Sequence, residues 1–230
     1  MSARAWAVAT AAFGVATITL FVIFAMLPEA RAAAGCLSAD AVVQFELAQN
    51  GDDLARIFGG GGEGCGPLAI AAMDAVNRID LIAFIPLYTA FACAGALFLA
   101  DGALRPLSVA ALGAALGAGA FDYLETTTLL QITQTLDEPE ALLPRLQASA
   151  WAKFALLAAH GVFGAGLCFL GARRRPVLGS LLLLPVLGVA LAAYDHVRLA
   201  SVMSAAFALA WVALLVTAAR SALTGHSTRT

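Results

Sequence analysis

Asp122 and Glu125 stand three residues apart in the run Phe121-Asp122-Tyr123-Leu124-Glu125-Thr126-Thr127-Thr128, inside a segment that is otherwise apolar from Leu107 to about Ile132. On a helix this spacing puts both carboxylates on one face. Within a bilayer such groups are costly to bury, so they turn to a partner, a cavity or a substrate rather than to lipid. A carboxyl pair of this kind can hold a cation, share a proton, or act as acid and base towards a lipid-soluble substrate.

Other ionisable residues lie at comparable depth. Lys153 enters the next apolar segment from the same side as Glu125, so a Lys153 ion pair with Glu125 or Asp122 is expected; the alternative is that Lys153 snorkels to the headgroups. His160 lies two turns deeper, either hydrogen-bonded to a neighbouring helix or added to the carboxylates. Asp80 opens another apolar run, with Phe84 and Tyr88 following at helical spacing on its face. Asp195 and His196 sit in a tight turn, Tyr194-Asp195-His196-Val197-Arg198, between the last two apolar segments. By depth, Asp80, Tyr88, Asp122, Glu125, Lys153, His160, Asp195 and His196 map to the outer half of the molecule and are the candidate substrate- or proton-binding residues.

The elements that must position them are membrane spans. The chain has 230 residues, of which 61% are hydrophobic and 12% charged, with a mean hydropathy of +0.88. A soluble domain carries roughly 25% charged residues. Six apolar segments, at about 5–27, 79–100, 107–132, 150–171, 177–194 and 199–219, approach or exceed the ~18–20 residues that cross the hydrocarbon layer. Backbone polar groups in lipid must be satisfied locally, so each segment is expected to be helical. The fold class is therefore an all-α polytopic membrane bundle of about six helices in one domain over 1–230, with a small helical outer loop inserted at 28–78. Pro86 and Pro185 are expected to kink the second and fifth spans. Gly113 and Gly117 offer a small-residue surface for close helix contact, which also permits a homo-oligomer.

The first apolar run resembles a signal sequence, with Ala32-Ala33-Ala34 as a cleavage site and Ala33-Ala34-Gly35-Cys36 as a faint lipoprotein box. At about 22 residues it is as long as a full span, and Glu29 and Arg31 separate it from the small residues, so a retained span is expected. Arginine placement sets the orientation. With the N-terminus inside, short inner segments hold Arg4, Arg105, Arg173, Arg174, Arg175, Arg220 and Arg229, while Asp101 is the one inner acid. The expectation is an inner-membrane protein with both termini cytoplasmic. Asp122 then lies roughly 22 Å and Glu125 roughly 27 Å from the inner end of their helix, in its outer third. An acidic pocket opening outward is expected there.

The outer loop reads as two short helices. Ser38 can cap one from Ala39 that Asn50-Gly51 ends, and Asp52-Asp53 can start another to about Phe58. Gly59–Gly62 reads as a break, Pro67–Val76 as a helix approaching the second span, Ala141–Gln147 as a surface helix, and Ser221–Thr230 as a disordered tail. Cys36 and Cys65 bracket the loop on the oxidising side, where a disulfide is expected. Cys93 and Cys168 lie within spans, and no Cys-x-x-Cys pair supports redox chemistry.

Composition and motifs also exclude some functions. There is no basic patch of the kind nucleic acid needs. No His-x-x-x-His, Glu-x-x-His or Gly-x-Ser-x-Gly motif marks a metal site or a serine hydrolase, and no cofactor is indicated. The partners expected are membrane lipid and a small amphiphilic ligand.

The run Asp122-Tyr123-Leu124-Glu125-Thr126 resembles the Asp-x-Leu-Glu-Asn/Thr signature of some uncharacterised bacterial multi-spanning membrane proteins. The likeness covers one helix and extends to the Asp80–Tyr88 segment. It implies a membrane bundle and carries no known activity. Glu125-Thr126-Thr127-Thr128 is also similar to the Glu-Thr-x-Thr run of emopamil-binding, sterol-isomerase-like proteins. Those have fewer spans and a histidine pattern missing here, so that likeness implies only that an acid–base pocket is physically feasible. Three readings stand at this point: a site that binds or transports a small amphiphile or lipid, a membrane-embedded acid–base enzyme, and a structural subunit with a buried ion pair.

Overall fold

The computed structural model describes residues 2–59, 62, 64–100 and 102–224. Gly60 and Gly61 of the expected glycine break, Asp101, and the tail from Gly225 with Arg229 lie outside the described residues. The described chain is helical, with eleven α-helices: α1 (Ala3–Met26), α2 (Pro28–Ala32), α3 (Ala41–Glu46), α4 (Gly51–Gly59), α5 (Cys65–Ile79), α6 (Ile85–Leu99), α7 (Arg105–Ile132), α8 (Leu143–Leu170), α9 (Pro176–Leu182), α10 (Leu184–Tyr194) and α11 (Ala200–Thr224). Six helical stretches are long and apolar enough to cross a membrane. The protein is a multi-pass membrane bundle, as its apolar runs dictate. Large apolar side chains such as Val15, Val22, Ile82, Leu116, Leu187 and Leu209 point outward, onto the surface that lipid covers.

The second span is longer than the apolar run alone. It is continuous from Cys65 to Leu99, and its middle, Asp80–Phe84, is a π-turn. Pro86 has no N–H to give and its ring crowds the preceding turn. The extra residue of a π-turn absorbs that conflict, and the Ile85 N–H reaches back to the Asp80 carbonyl. The expected Pro86 kink is thus a bulge, and it lies where Asp80 sits. At Pro185 the fifth span is interrupted outright, α9 ending at Leu182 and α10 starting at Leu184.

Close packing follows the small residues. A side chain at Gly119 would collide with Thr89 of α6, one at Gly117 would press Leu156 of α8, and Gly14 of α1 lies against Phe91 and Leu215. Gly113, the other half of the Gly-x-x-x-Gly pair, has nothing packed over it.

The outer loop forms a helical cap. It differs in detail from the sequence expectation. α3 ends at Glu46, and its N-cap is Asp40, without a side-chain bond; Ser38 contributes only its carbonyl, to the Ala41 N–H at 3.1 Å. Asn50 does not end α3 but starts α4, its Oδ1 accepting the Asp53 N–H at 3.0 Å. The surface helix expected at 141–147 is instead the outward continuation of the fourth span, because nothing interrupts the helix after Leu143. Phe45, Leu54 and Phe58 of the cap pack with Met73, Leu129, Ile132 and Leu146 on the protruding ends of α5, α7 and α8. The edge-to-face pair Phe45–Phe58, with centroids 5.0 Å apart, seals this small core.

Cys36 and Cys65 are joined in a disulfide with a Cα–Cα distance of 5.3 Å, tying the start of the cap to the start of α5. The bond closes a 29-residue separation. By chain entropy a loop of that size is restrained by about 3.6 kcal/mol. Cys36→Ser is therefore expected to lower the unfolding midpoint in detergent and to open residues 37–64 to protease. An unchanged midpoint together with unchanged cleavage would show that cap packing suffices without the bond.

Candidate functional site

The spacing of Asp122 and Glu125 on α7 does what the sequence indicates: both face inward, 5% and 0% exposed. Lys153 of α8, 4% exposed, meets them. Its Nζ donates to Glu125 Oε1 at 2.8 Å and lies 3.4 Å from Asp122 Oδ1. The ion pair expected from matched depth is formed, and Lys153 does not snorkel. Its ammonium also sits 4.4 Å from the centroid of the Phe154 ring.

Two elements complete the cluster. The π-turn presents Asp80, whose Oδ2 accepts the Thr126 hydroxyl at 2.8 Å. Tyr88 on α6 is 1% exposed, and its hydroxyl faces the Asp122 carboxylate without making a hydrogen bond. From the cap comes Glu46, which sequence reasoning missed; its Oε2 accepts from Lys153 Nζ at 3.1 Å. Glu46, at the end of α3, lies 107 residues from Lys153 in the chain, and no local pattern relates the two. The signal available was a carboxylate on a short cap helix facing the same membrane side.

Three carboxyl groups, Glu46, Asp122 and Glu125, thus lie against one ammonium, and a fourth, Asp80, stands beside them on Thr126. Glu125 Oε2 is buried with no hydrogen-bond partner. Burial pushes the Glu46 carboxyl above its usual range and the neighbouring Asp122 adds to this, against the opposing pull of Lys153. Outward of the cluster, Arg145 of α8 donates to Thr128 at 2.8 Å and to Gln131 at 2.7 Å, and Thr133 donates to Asp74 at 2.7 Å. These bonds hold the protruding ends of α5, α7 and α8 together.

The remaining predicted residues lie elsewhere. His160 does not join the carboxylates: it is seven residues deeper on α8, and its ring Nδ1 lies 3.0 Å from the Ala111 carbonyl of α7. Asp195 and His196 do not reach the cluster either, because the cap lies between. Asp195 stabilises its own turn, accepting the Val197 and Arg198 N–H groups at 3.2 and 3.0 Å. His196 Nε2 lies 3.2 Å from Oδ2 of Asp53 on α4. Asp53 also accepts the Gln49 N–H at 2.9 Å and pairs with Arg56 at 3.1 Å. This second polar group fastens the cap to the turn between the last two spans. Although burial works the other way, the Gln49 N–H, His196 and Arg56 together hold the Asp53 carboxyl below its usual value.

Over the cluster the cap takes the place of the outward opening that the sequence led us to expect. Leu47, next to Glu46, packs with Tyr88, Phe154 and Met203. Two cavities stand elsewhere, one beside Asp53 and His196 and one beside His160, each with room for about one water-sized group (about 10 Å³). Among the described residues no group of His, Cys, Asp and Glu is arranged to hold a metal ion. No protein-family model, curated protein or solved structure matches this chain.

Removing one partner of a buried ionic cluster leaves uncompensated charge, at a typical cost of about 3–5 kcal/mol. Lys153→Met is expected to destabilise the protein on this scale in detergent unfolding, and Glu125→Gln in the same chain to recover part of the loss. Strict additivity of the two changes would show that they do not interact. At the second polar group, a depressed carboxyl contributes stability above its unfolded value, near 3.8, that is lost as pH falls through the lower folded value. The stability gap between wild type and Asp53→Asn is accordingly expected to be full at neutral pH and to shrink only below about pH 3.8. A gap independent of pH down to acid unfolding would refute this.

Proposed function

We propose that the protein lies in the inner membrane with both termini cytoplasmic, and that the carboxyl cluster under the outer cap binds the cationic or hydroxylated head of a small amphiphile or lipid. The observation that carries this reading is the ratio of four carboxyl groups to one ammonium. Burying such a cluster stabilises a fold no better than apolar side chains of similar volume would. Ionisable groups retained inside a membrane bundle therefore point to function. Lys153 neutralises one carboxylate; the others call for a proton or another positive or donating group. Glu125 Oε2 and the Tyr88 hydroxyl are the polar atoms with spare capacity to meet one.

Binding is favoured over acid–base catalysis because both described histidines bond outside the Lys153 cluster, His160 to the Ala111 carbonyl and His196 to Asp53. It is favoured over transport because nothing supports an inward opening of the site. A second reading, a purely structural clasp, is favoured by the short Lys153 contacts and by the packing of Leu47 over the cluster. On the binding reading the cap must shift to admit the head group.

Native mass spectrometry of the detergent-purified protein separates the two. The wild type is expected to carry a bound small molecule or lipid that an Asp122→Asn, Glu125→Gln variant, shown to be folded by its circular dichroism and unfolding midpoint, releases. Empty spectra from wild type, or the same adduct on both proteins, would leave the clasp as the role of the cluster.

A further inference from the structure

The cavity beside His160 is separate from the carboxyl cluster and needs its own account. His160 is 8% exposed and lies ten residues, roughly 15 Å, from the inner end of α8 at Leu170, near the middle of the bilayer. A carbonyl can only accept, so the contact with Ala111 fixes the proton on Nδ1. In the neutral ring Nε2 then carries a lone pair, and it has no partner among the described residues. His160 lines a partly open cavity with Phe91, Leu157, Leu182, Phe207 and Trp211, which has room for about one water-sized group (about 10 Å³).

The wall opposite is the break in the fifth span. Pro185 brings no N–H, and the Val186 N–H turns to Leu183 O at 3.1 Å rather than to Leu182 O. The Leu182 carbonyl points across at α8, where a side chain on Gly161, the residue after His160, would run into its oxygen. Backbone freed inside a bundle is tolerated where neighbours, water or a cavity satisfy it. The cavity therefore sets the His160 ring in one water-sized space whose wall includes Leu182 and Pro185 of the break. A free ring acceptor in such a space selects a small group that donates a hydrogen bond.

We propose that this cavity is a binding site for a hydroxyl donor, which donates a hydrogen bond to the His160 ring nitrogen and lies beside Leu182 and Pro185 at the break in the fifth span. Two sources offer that chemistry: an internal water, and the hydroxyl of a lipophilic alcohol or phenol entering from the bilayer. Trp211 forms the remaining wall and stacks on Tyr88 at 5.6 Å, so the site borders the carboxyl cluster without sharing a polar group with it.

The chain has three histidines, which makes the test direct. The full protein is labelled with ¹⁵N-histidine, reconstituted in lipid nanodiscs, and assigned with His196→Gln and His226→Gln variants. The His160 Nε2 signal is expected at the far-downfield position of an unprotonated ring nitrogen. A cross-peak from it to water protons that 4-butylphenol leaves unchanged identifies the donor as water. An upfield displacement of the signal on titration with 4-butylphenol, absent with butylbenzene, identifies a site for lipophilic hydroxyls. A protonated Nε2, or an unprotonated one with neither a water contact nor a response to the phenol, overturns the proposal. Binding to the carboxyl cluster does not enter this readout, so the two proposals fail separately.

Discussion

A lysine without water must find its counter-charges inside the protein, and the capped half of this bundle is arranged around that requirement. In low dielectric, unpaired charge is far more costly than at a surface. Lys153 meets the demand by drawing carboxylates from two elements, α7 and the cap. α6 and the π-turn close the rest of the shell with Tyr88 and Asp80. The cap is thereby held at three places that differ in kind: a covalent bond at Cys36–Cys65, an ion pair at Glu46–Lys153 and a polar group at Asp53–His196. Its apolar side chains fill the space between these anchors. The cap thus forms part of the site.

Irregular backbone recurs wherever polar atoms are brought inside. The π-turn before Pro86 carries Asp80 to Thr126, and the break at Leu183 turns a carbonyl towards the His160 side of α8. In a regular membrane helix the backbone is self-satisfied and only side chains can do chemistry. A proline within a span releases backbone groups and changes the phase of the helix, so each proline creates a polar neighbourhood as well as a bend. Two mid-span prolines here accompany the two buried polar regions.

Much of this was legible from the residues alone. The i, i+3 spacing placed Asp122 and Glu125 on one face, and matched distances from the outer ends of two spans brought Lys153 to their level. The compartment implied by arginine placement made Cys36 and Cys65 natural partners. These inferences rest on local geometry or on depth, which a span transmits at a fixed rise per residue. Depth alone was insufficient for His160, Asp195 and His196, because two groups at one level can face opposite sides of a bundle or be parted by a loop. Glu46 was missed and Asp53 was read only as a helix start, since the short cap helices have no membrane register from which to derive their partners.

The sequence by itself determined that this is an all-α multi-pass membrane protein, that it has six spans, and that an acidic pair lies near one end of the third. Those properties follow from hydrophobic length, backbone self-satisfaction and helical period, each of which acts within a single segment. Only the tertiary structure decided which charges meet, that a cap covers them, and that a histidine faces a helix break instead of the carboxylates. Those outcomes depend on helix rotation and neighbour choice, which arise from packing among segments distant in the chain and leave no periodic mark in any one of them.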